Sequence, residues 1–245
     1  MMVQAIAMGL SIYALVDSNL EGNSKPQLLM AILILELVVQ VVELCWYIIV
    51  GVLYYFGGMN IGVEYRYYDW VITTPTMLIS ILLFIWYLQC NNLTLRDVGS
   101  DLSKVAAMLV SLCLNWFMLM IGYVYEARIT SVTTWIDSAV YPINGLYFGF
   151  VPFLGSYVPI FISAFIQPNV IAIVVSIVTF LIWLLYGVVA IWYTTPEGEA
   201  WKNTFYNLLD IVSKNLAGIT VAIVSLMYTS GSIDATESFC NVTST

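Results

Sequence analysis

Two pairs of opposite charges lie inside apolar segments of the chain, and these residues are the best placed to do chemistry. Arg66 and Asp69 are three residues apart, and Asp210 and Lys214 are four apart. At these spacings each pair shares one face of a helix. A charge at the centre of a bilayer costs about 2.5–3.5 kcal/mol on insertion scales, so such residues indicate function. A purely structural ion-pair network is the weaker alternative, because buried pairs stabilise little.

A lysine between buried carboxylates is suited to two kinds of chemistry. The amine of Lys214 could relay protons or couple ions in a transporter. Alternatively, it could hold an aldehyde as a Schiff base. The protonated nitrogen would then need a counterion, which Asp69 and Asp210 would share, while Arg66 would balance the excess negative charge. A long apolar aldehyde also needs an aromatic slot. The aromatic residues placed for this slot are Trp70, Trp183 and Tyr186.

The composition indicates that these segments lie in lipid. The chain has 245 residues, of which 61% are hydrophobic and 9% are charged, whereas soluble domains carry about 25% charged residues. Seven helices of membrane-spanning length would use about 140–175 residues. We therefore predict an all-α membrane protein, a seven-transmembrane-helix bundle. The predicted helices cover residues 2–18, 27–56, 64–89, 102–126, 143–166, 170–193 and 201–229.

The remaining features limit the domains and the partners. Residues 1–229 form the predicted bundle domain, and residues 230–245 form a polar tail that we expect to be disordered. The positive-inside rule favours a cytoplasmic C-terminus by three basic loop residues to two. The basic residues form no cluster and the chain has no histidine, so we predict no nucleic-acid partner, no metal site and no enzymatic activity. The expected partners are the lipid bilayer and protons or small cations, and a second copy of the chain could be a further partner.

Four segments resemble those of the microbial (type 1) rhodopsins. Residues 66–75, RYYDWVITTP, resemble the signature of the third helix in that family, and residues 209–214, LDIVSK, resemble the segment with the retinal-binding lysine. Residues 183–186, WLLY, resemble the aromatic motif of the sixth helix, and residues 115–126 resemble the fourth helix of the proteorhodopsins. The motifs follow one another in the family's order, and the resemblance covers the whole seven-helix layout.

The resemblance implies a cofactor and a function for each site residue. The cofactor would be all-trans retinal, attached to Lys214 as a Schiff base. Asp69 would be the primary counterion and proton acceptor, Asp210 the second counterion, and Arg66 the cation on the gate side. Thr73 would hydrogen-bond Asp69. The residues in contact with retinal would be Trp70, Thr74, Met77, Trp183 and Tyr186. An apolar residue such as Met77 implies green absorption in the proteorhodopsins.

A subgroup is also suggested by the resemblance. The triple Asp69, Thr73 and Ser80 resembles the DTS-motif rhodopsins of giant algal viruses, and Ser11, Glu43 and Asn215 fit that subgroup. Ser80 stands where efficient proton pumps have a carboxylate that reprotonates the Schiff base. We therefore expect reprotonation from bulk water or from another carboxylate, and a late photocycle that slows as the pH rises.

These observations predict a retinal-binding, light-driven ion transporter, with an outward proton pump as the main prediction. The alternative is a light-gated cation channel of the viral rhodopsin type, and a photosensor is a minor alternative. For a channel, the candidate residues of the ion path are Ser11, Glu36, Gln40, Glu43 and Asn215. Glu126 and Lys202 are expected near helix ends, where they can reach the membrane interface.

Overall fold

The protein is helical throughout the part of the chain that the structure, a computed structural model, describes. The described residues are 2–20, 26–58, 62–90, 92–141, 144–192 and 196–229, so the predicted tail at 230–245 lies outside them. The helices are α1 (Met2–Leu20), α2 (Gln27–Gly57), α3 (Arg66–Gln89), α4 (Leu95–Ser100), α5 (Leu102–Glu126), α6 (Thr130–Val140), α7 (Gly145–Phe148), α8 (Phe150–Ile166), α9 (Val170–Trp192), α10 (Pro196–Asp210) and α11 (Leu216–Thr229). A 3₁₀ turn, Val63–Tyr65, precedes α3, and a π-helical segment, Ile211–Asn215, joins α10 to α11.

Most of these helices have the dimensions of membrane spans. Six segments of the described chain are long and apolar enough to cross a bilayer, and α1 contributes a shorter apolar stretch, Met2–Asp17. The α10–π–α11 unit counts as one of the six and is called the last span below. The prediction of an all-helical membrane bundle is therefore confirmed.

The spans form a closed ring, and α3 makes additional contacts across its interior. Neighbouring helices pack in the order α1, α2, α3, α5, α8, α9 and the last span, and α11 returns to contact α1. Helix α3 also contacts α8 and α9, so it crosses the interior of the ring. This arrangement brings α3 opposite the last span, and these two elements carry the charged pairs that the sequence singled out.

The bundle has apolar residues outside and many of its polar residues inside. Large apolar side chains such as Leu154, Val158 and Ile162 are exposed along the outer face of α8. Carboxylates such as Asp69 and Glu43 are buried within the ring. This distribution is expected where lipid surrounds the protein, because ionisable residues in membrane spans face the bundle interior.

Several helix boundaries differ from the prediction. Helix α10 begins at Pro196 rather than at residue 201, and proline is well suited to a first helical turn because its missing N–H has no intrahelical partner there. The predicted fifth helix is divided at Gly149 into α7 and α8. Short helices α4 and α6 lie in segments predicted as connections. The N-terminus of α4 has a capping box, in which the side chains of Thr94 and Asp97 each accept from the backbone N–H of the other residue. The hydrogen bonds from Thr94 lower the pKa of the Asp97 carboxyl.

Pro75 interrupts the hydrogen bonds of α3, and a neighbouring helix compensates. Proline has no N–H, so the carbonyl of Val71 one turn earlier loses its intrahelical donor. The indole N–H of Trp116 on α5 donates to this carbonyl at 3.1 Å. Because lipid offers no replacement donor, the pairing satisfies a carbonyl that would otherwise remain unpaired.

We predict that Trp116→Phe lowers stability by about 1–3 kcal/mol, the cost of a carbonyl left unsatisfied where lipid offers no donor. In a Pro75→Ala background, Trp116→Phe should lower the stability clearly less, because alanine at this position supplies the N–H that proline lacks. The measurement is the apparent unfolding temperature of four proteins, namely the wild type, the two single variants and the double variant. Trp135→Phe is the control, since Trp135 is 71% exposed on α6. Equal costs in the two backgrounds would show that the indole does not act through the Val71 carbonyl.

Candidate functional site

The amine of Lys214 lies among three carboxylates in the middle of the bundle. Its Nζ donates to Oδ2 of Asp69 at 2.5 Å and lies 3.6 Å from Oδ1 of Asp210 and 3.6 Å from Oε1 of Glu43. All four side chains are almost completely buried. Oxygen atoms of the three carboxylates lie within 4.8 Å of one another, a spacing that could hold a metal ion. We assign the cationic partner of this cluster to the ammonium of Lys214, which contacts all three.

The carboxylate of Asp210 is held by four side-chain donors. Arg66 donates from Nη1 at 3.1 Å to Oδ2, and Tyr186 donates from its hydroxyl at 2.9 Å to Oδ1. The Trp70 indole donates at 3.3 Å and the Tyr47 hydroxyl at 3.4 Å. A buried carboxylate that accepts this many hydrogen bonds is stabilised in its ionised form and fixed in position.

The carboxylate of Asp69 is much less constrained. Its Oδ2 accepts from Lys214, while its buried Oδ1 has no hydrogen-bond partner among the described residues. The Thr73 hydroxyl donates to the backbone carbonyl of Asp69 at 3.1 Å and not to its carboxylate, a distinction that the prediction of a hydrogen bond between Thr73 and Asp69 did not make. In a helix a threonine hydroxyl commonly bonds the carbonyl one turn earlier, which leaves the carboxylate free.

Arg66 is positioned by residues that the sequence analysis missed. Its guanidinium donates to the side chain of Asn203 at 3.2 Å and to that of Asn207 at 2.6 Å. The hydroxyl of Tyr47 also lies 3.0 Å from the side-chain oxygen of Asn207, so its single proton is shared between Asn207 and Asp210. A signal was present in the sequence, because Asn203, Asn207 and Asp210 follow at steps of four and three and therefore share one helical face.

A cavity of about 120 Å³ extends from Lys214 between α3, α5, α8 and α9. The side chains predicted to contact retinal all line it, together with aromatic residues that the sequence analysis did not name, such as Phe150 and Phe153. The predicted residues in the lining are Trp70, Thr74, Met77, Trp183 and Tyr186. Asn115 donates to the Thr74 hydroxyl at 2.9 Å and so fixes one wall. The lining is predominantly apolar, and its polar groups are concentrated around the amine.

The π-helical segment places the backbone of Lys214 against α2. A π turn shifts the i→i−4 hydrogen bonds of a helix and frees carbonyl groups. The carbonyl of Lys214 accepts from Nε2 of Gln40 at 3.1 Å. Gln40 therefore contacts the π segment directly, on the side of the lysine away from Arg66.

The five candidate residues of the ion path are buried on the inner faces of α1, α2 and the last span. They are Ser11, Glu36, Gln40, Glu43 and Asn215. Glu43 faces Lys214, and Glu36 accepts a short hydrogen bond from Ser80 on α3. The structure thus brings Ser80 next to a carboxylate of another helix, a pairing that the sequence analysis did not anticipate.

Glu126 is the last residue of α5, and Lys202 lies at the start of the last membrane span, as expected, but the two side chains pair with each other inside the bundle. Lys202 donates to both carboxylate oxygens of Glu126, at 2.7 and 3.1 Å. The two side chains, Lys202 and Glu126, are only 8% and 13% exposed. Their pairing explains the burial, because a buried charge needs a partner of opposite sign.

We predict that Glu126→Gln or Lys202→Met alone lowers stability by about 3–5 kcal/mol, because each removes one member of a largely buried ion pair. The double variant should lose less than the sum of the two, and thermal unfolding of the three proteins checks this. Lys104→Met is the control, since Lys104 pairs with Asp101 where both are more exposed and such pairs contribute about 0–1 kcal/mol. Additive losses would exclude direct coupling between the two residues.

The fold and the site together define a class of protein: a multi-pass integral membrane bundle with an interior lysine, carboxylate counterions and an adjoining aromatic cavity. The chain belongs to the bacteriorhodopsin-like family, since the family model described as "Bacteriorhodopsin-like protein" matches residues 1–226. Members of this family bind retinal through a Schiff-base lysine. No curated protein matches the chain.

Solved structures of microbial rhodopsins share the fold. The viral rhodopsin OLPVRII is 22% identical with a TM-score of 0.66, over 95% of this chain and 98% of that chain. The blue light-absorbing proteorhodopsin from Med12 is 19% identical with a TM-score of 0.60, over 94% and 97%. Thermophilic rhodopsin is 15% identical with a TM-score of 0.65, over 94% and 93%.

Proposed function

We propose that the chain is a retinal-binding, light-driven ion transporter that pumps protons outward, and that it is not an enzyme. The observation that carries this proposal is the asymmetry between the two aspartates beside Lys214. Asp210 accepts four side-chain hydrogen bonds, whereas Asp69 has one unpartnered oxygen among the described residues and lies 2.5 Å from the amine. A proton acceptor needs free acceptor capacity and close contact with the donor, which favours Asp69.

The residues around the cavity fit all-trans retinal, a long apolar aldehyde. The amine of Lys214 lies at the polar end of the cavity, where it would hold the aldehyde carbon, and the walls are aromatic and aliphatic. Bound retinal supplies the absorption of visible light and a light-driven change of shape beside the lysine nitrogen. Trp183, Tyr186 and Met77 would limit the positions it can take, because interiors are close-packed.

Three side chains of the site have different functions in moving a proton. Asp69 accepts the proton that leaves the nitrogen of Lys214. Arg66 and three further donors hold the carboxylate of Asp210 in position. Arg66 lies at the start of α3, at the end of the bundle opposite the C-terminus of α11. With a cytoplasmic C-terminus, a proton that leaves past Arg66 exits on the outer side.

Voltage-clamp recording of the full chain, reconstituted with all-trans retinal, tests the proposal. A pump gives a photocurrent of one sign at every voltage. Illuminated cells that carry the wild type should also acidify an unbuffered medium, and an added protonophore should abolish the change. A current that reverses with the cation gradient would exclude a pump.

One observation favours the second candidate, a light-gated cation channel. Several polar atoms along the proposed ion path have no hydrogen-bond partner among the described residues, although their side chains are buried. These are Oγ of Ser11, Oε2 of Glu36, Oε1 of Gln40 and both amide atoms of Asn215. Buried polar atoms of this kind are commonly satisfied by water, so α1, α2 and the last span could enclose a hydrated path. The reversal of the photocurrent decides between the two functions.

A further inference from the structure

The backbone of Lys214 is held from a neighbouring helix by the side chain of Gln40. This amide is completely buried on α2, and its Nε2 donates to the Lys214 carbonyl at 3.1 Å. The carbonyl belongs to the π-helical segment Ile211–Asn215, and a π turn leaves carbonyl groups without their regular donors in the helix. Lipid offers no replacement donor. The Gln40 amide therefore satisfies this carbonyl and connects the lysine backbone to α2.

A glycine on the last span provides the space for this amide. A Cβ added at Gly218, one turn after the lysine, would lie 3.0 Å from Nε2 of Gln40. This is closer than the 3.5–4.0 Å at which non-bonded carbon atoms pack best, roughly speaking. A glycine inside a helix lowers its stability relative to alanine. At this position the missing side chain allows α2 to approach the π-helical segment closely enough for the hydrogen bond.

The position of the lysine nitrogen depends on this backbone contact. Nζ of Lys214 donates to Asp69 at 2.5 Å, but a lysine side chain is a flexible four-carbon stem. The Asp69 carboxylate does not fix the geometry by itself, because its Oδ1 has no hydrogen-bond partner among the described residues. Before the lysine, the span is fixed through Asp210, which accepts from four side chains. At the lysine itself, Gln40 fixes the backbone carbonyl.

We propose that Gln40 is a positioning residue, which holds the backbone of Lys214 so that the lysine nitrogen stays against Asp69. Gln40 does not touch the nitrogen and acts through the Lys214 carbonyl. The proposal rests on the proposed function, in which Lys214 binds retinal and Asp69 accepts the proton. It requires retinal at Lys214 but applies equally to a pump and to a channel, since both depend on the position of that nitrogen.

Gln40→Met tests the proposal, because methionine has a similar length and cannot donate a hydrogen bond. The full chain is reconstituted with all-trans retinal and kept in the dark. The absorption band should move to longer wavelength, in the direction expected for Asp69→Asn but by less, because the nitrogen is held less firmly against the carboxylate. Hydroxylamine cleaves a Schiff base that it can reach, so it reports local opening at the lysine. It should bleach the variant about tenfold faster than the wild type, the factor expected for one hydrogen bond.

The matched control is Gln89→Met, which removes a similar amide bond far from the lysine. Nε2 of Gln89, at the end of α3, donates to the backbone carbonyls of Ser163 and Gln167 at 2.6 and 2.9 Å. Gln89→Met should lower the unfolding temperature and keep the wild-type absorption band and bleaching rate. An equal shift in the two variants would overturn the proposal, because the effect would then be a general loosening of the bundle.

Gly218→Ala provides a second test, which leaves Gln40 in place. The added methyl group would displace the amide, so this variant should also shift the band to longer wavelength and bleach faster. Gly51→Ala on α2 is its control, since a Cβ at Gly51 meets no atom within 4 Å. Gly218→Ala should add little in a Gln40→Met background, where the amide is already gone. Fully additive shifts would contradict the role of the amide.

Infrared spectroscopy of protein labelled with ¹³C at the lysine carbonyls tests the contact before retinal is added. The chain has four lysines, and Gln40→Met should move one of the four labelled carbonyl bands to higher frequency, because that carbonyl loses its donor. Unchanged labelled bands would overturn the proposal. Wild-type colour and bleaching in Gln40→Met would also overturn it, even if the protein pumps, whereas a wild type that stays colourless with retinal would overturn the proposed function itself.

Discussion

Lys214→Ala, purified after addition of all-trans retinal, is expected to be colourless, whereas the wild type absorbs visible light. The expected effect is complete because a covalent bond to retinal requires a lysine amine, and alanine has none. The change also removes the cation that Asp69 contacts at 2.5 Å. The measurement is the visible absorption spectrum of the purified protein at equal protein concentration.

The control is Lys104→Ala, which removes a lysine whose partner is the nearby Asp101 at the start of α5. This variant should keep the wild-type colour. Borohydride treatment of the wild type in the light, followed by peptide mapping, locates the attachment independently. A retinal adduct on any other residue, or a coloured Lys214→Ala protein, would exclude Lys214 as the attachment site.

Asp69→Asn is expected to bind retinal and to lose light-driven acidification. Asparagine cannot accept a proton from the lysine nitrogen, and loss of a positioned base commonly costs about 10²–10⁴-fold in rate. The absorption band should also move to longer wavelength, because a negative charge next to the nitrogen has been removed. Both effects are read from the spectrum and from acidification by illuminated cells. Acidification at the wild-type rate would show that another group accepts the proton.

Asp210→Asn provides the contrast, because the two aspartates have different surroundings. Its carboxylate is the anionic partner of Arg66 at 3.1 Å, and neutralising it leaves a largely buried guanidinium without an ion-pair partner among the described residues. Loss of one member of a buried pair typically costs about 3–5 kcal/mol. This variant should therefore show a lower unfolding temperature as its main defect. Asp69→Asn should not, because Lys214 keeps two carboxylate partners, Asp210 and Glu43, at 3.6 Å. Equal destabilisation by the two changes would contradict the asymmetry of the site.

The main residues of the site were predictable because charges are rare in apolar segments. In a chain with 9% charged residues, a lysine or aspartate within a membrane span stands out. The helical period then assigns Asp210 and Lys214 to one face without any knowledge of the fold. The aromatic residues were predicted for an apolar slot and the family resemblance added Thr74 and Met77, and the structure places all of them around one cavity.

Contacts between helices could not be predicted in the same way. The pairing of Ser80 with Glu36 depends on how α2 and α3 are rotated about their axes, and hydropathy does not specify that rotation. The donors to Asp210 come from three different elements for the same reason, as Tyr47, Trp70 and Tyr186 lie far apart in the sequence. Thr73 was paired with Asp69 without the accepting atom, since the choice between carboxylate and carbonyl is a matter of side-chain rotamer.

The π-helical turn at Ile211–Asn215 rotates the second half of the last span about the helix axis relative to the first half. One extra residue in an otherwise α-helical ladder offsets every later position by about 100°. A helical wheel drawn through the whole span would therefore assign Gly218 and Ala222 to the wrong sector. Deleting a single residue within this turn would leave the hydropathy profile nearly unchanged, yet it would turn the entire C-terminal half of the span to face different neighbours.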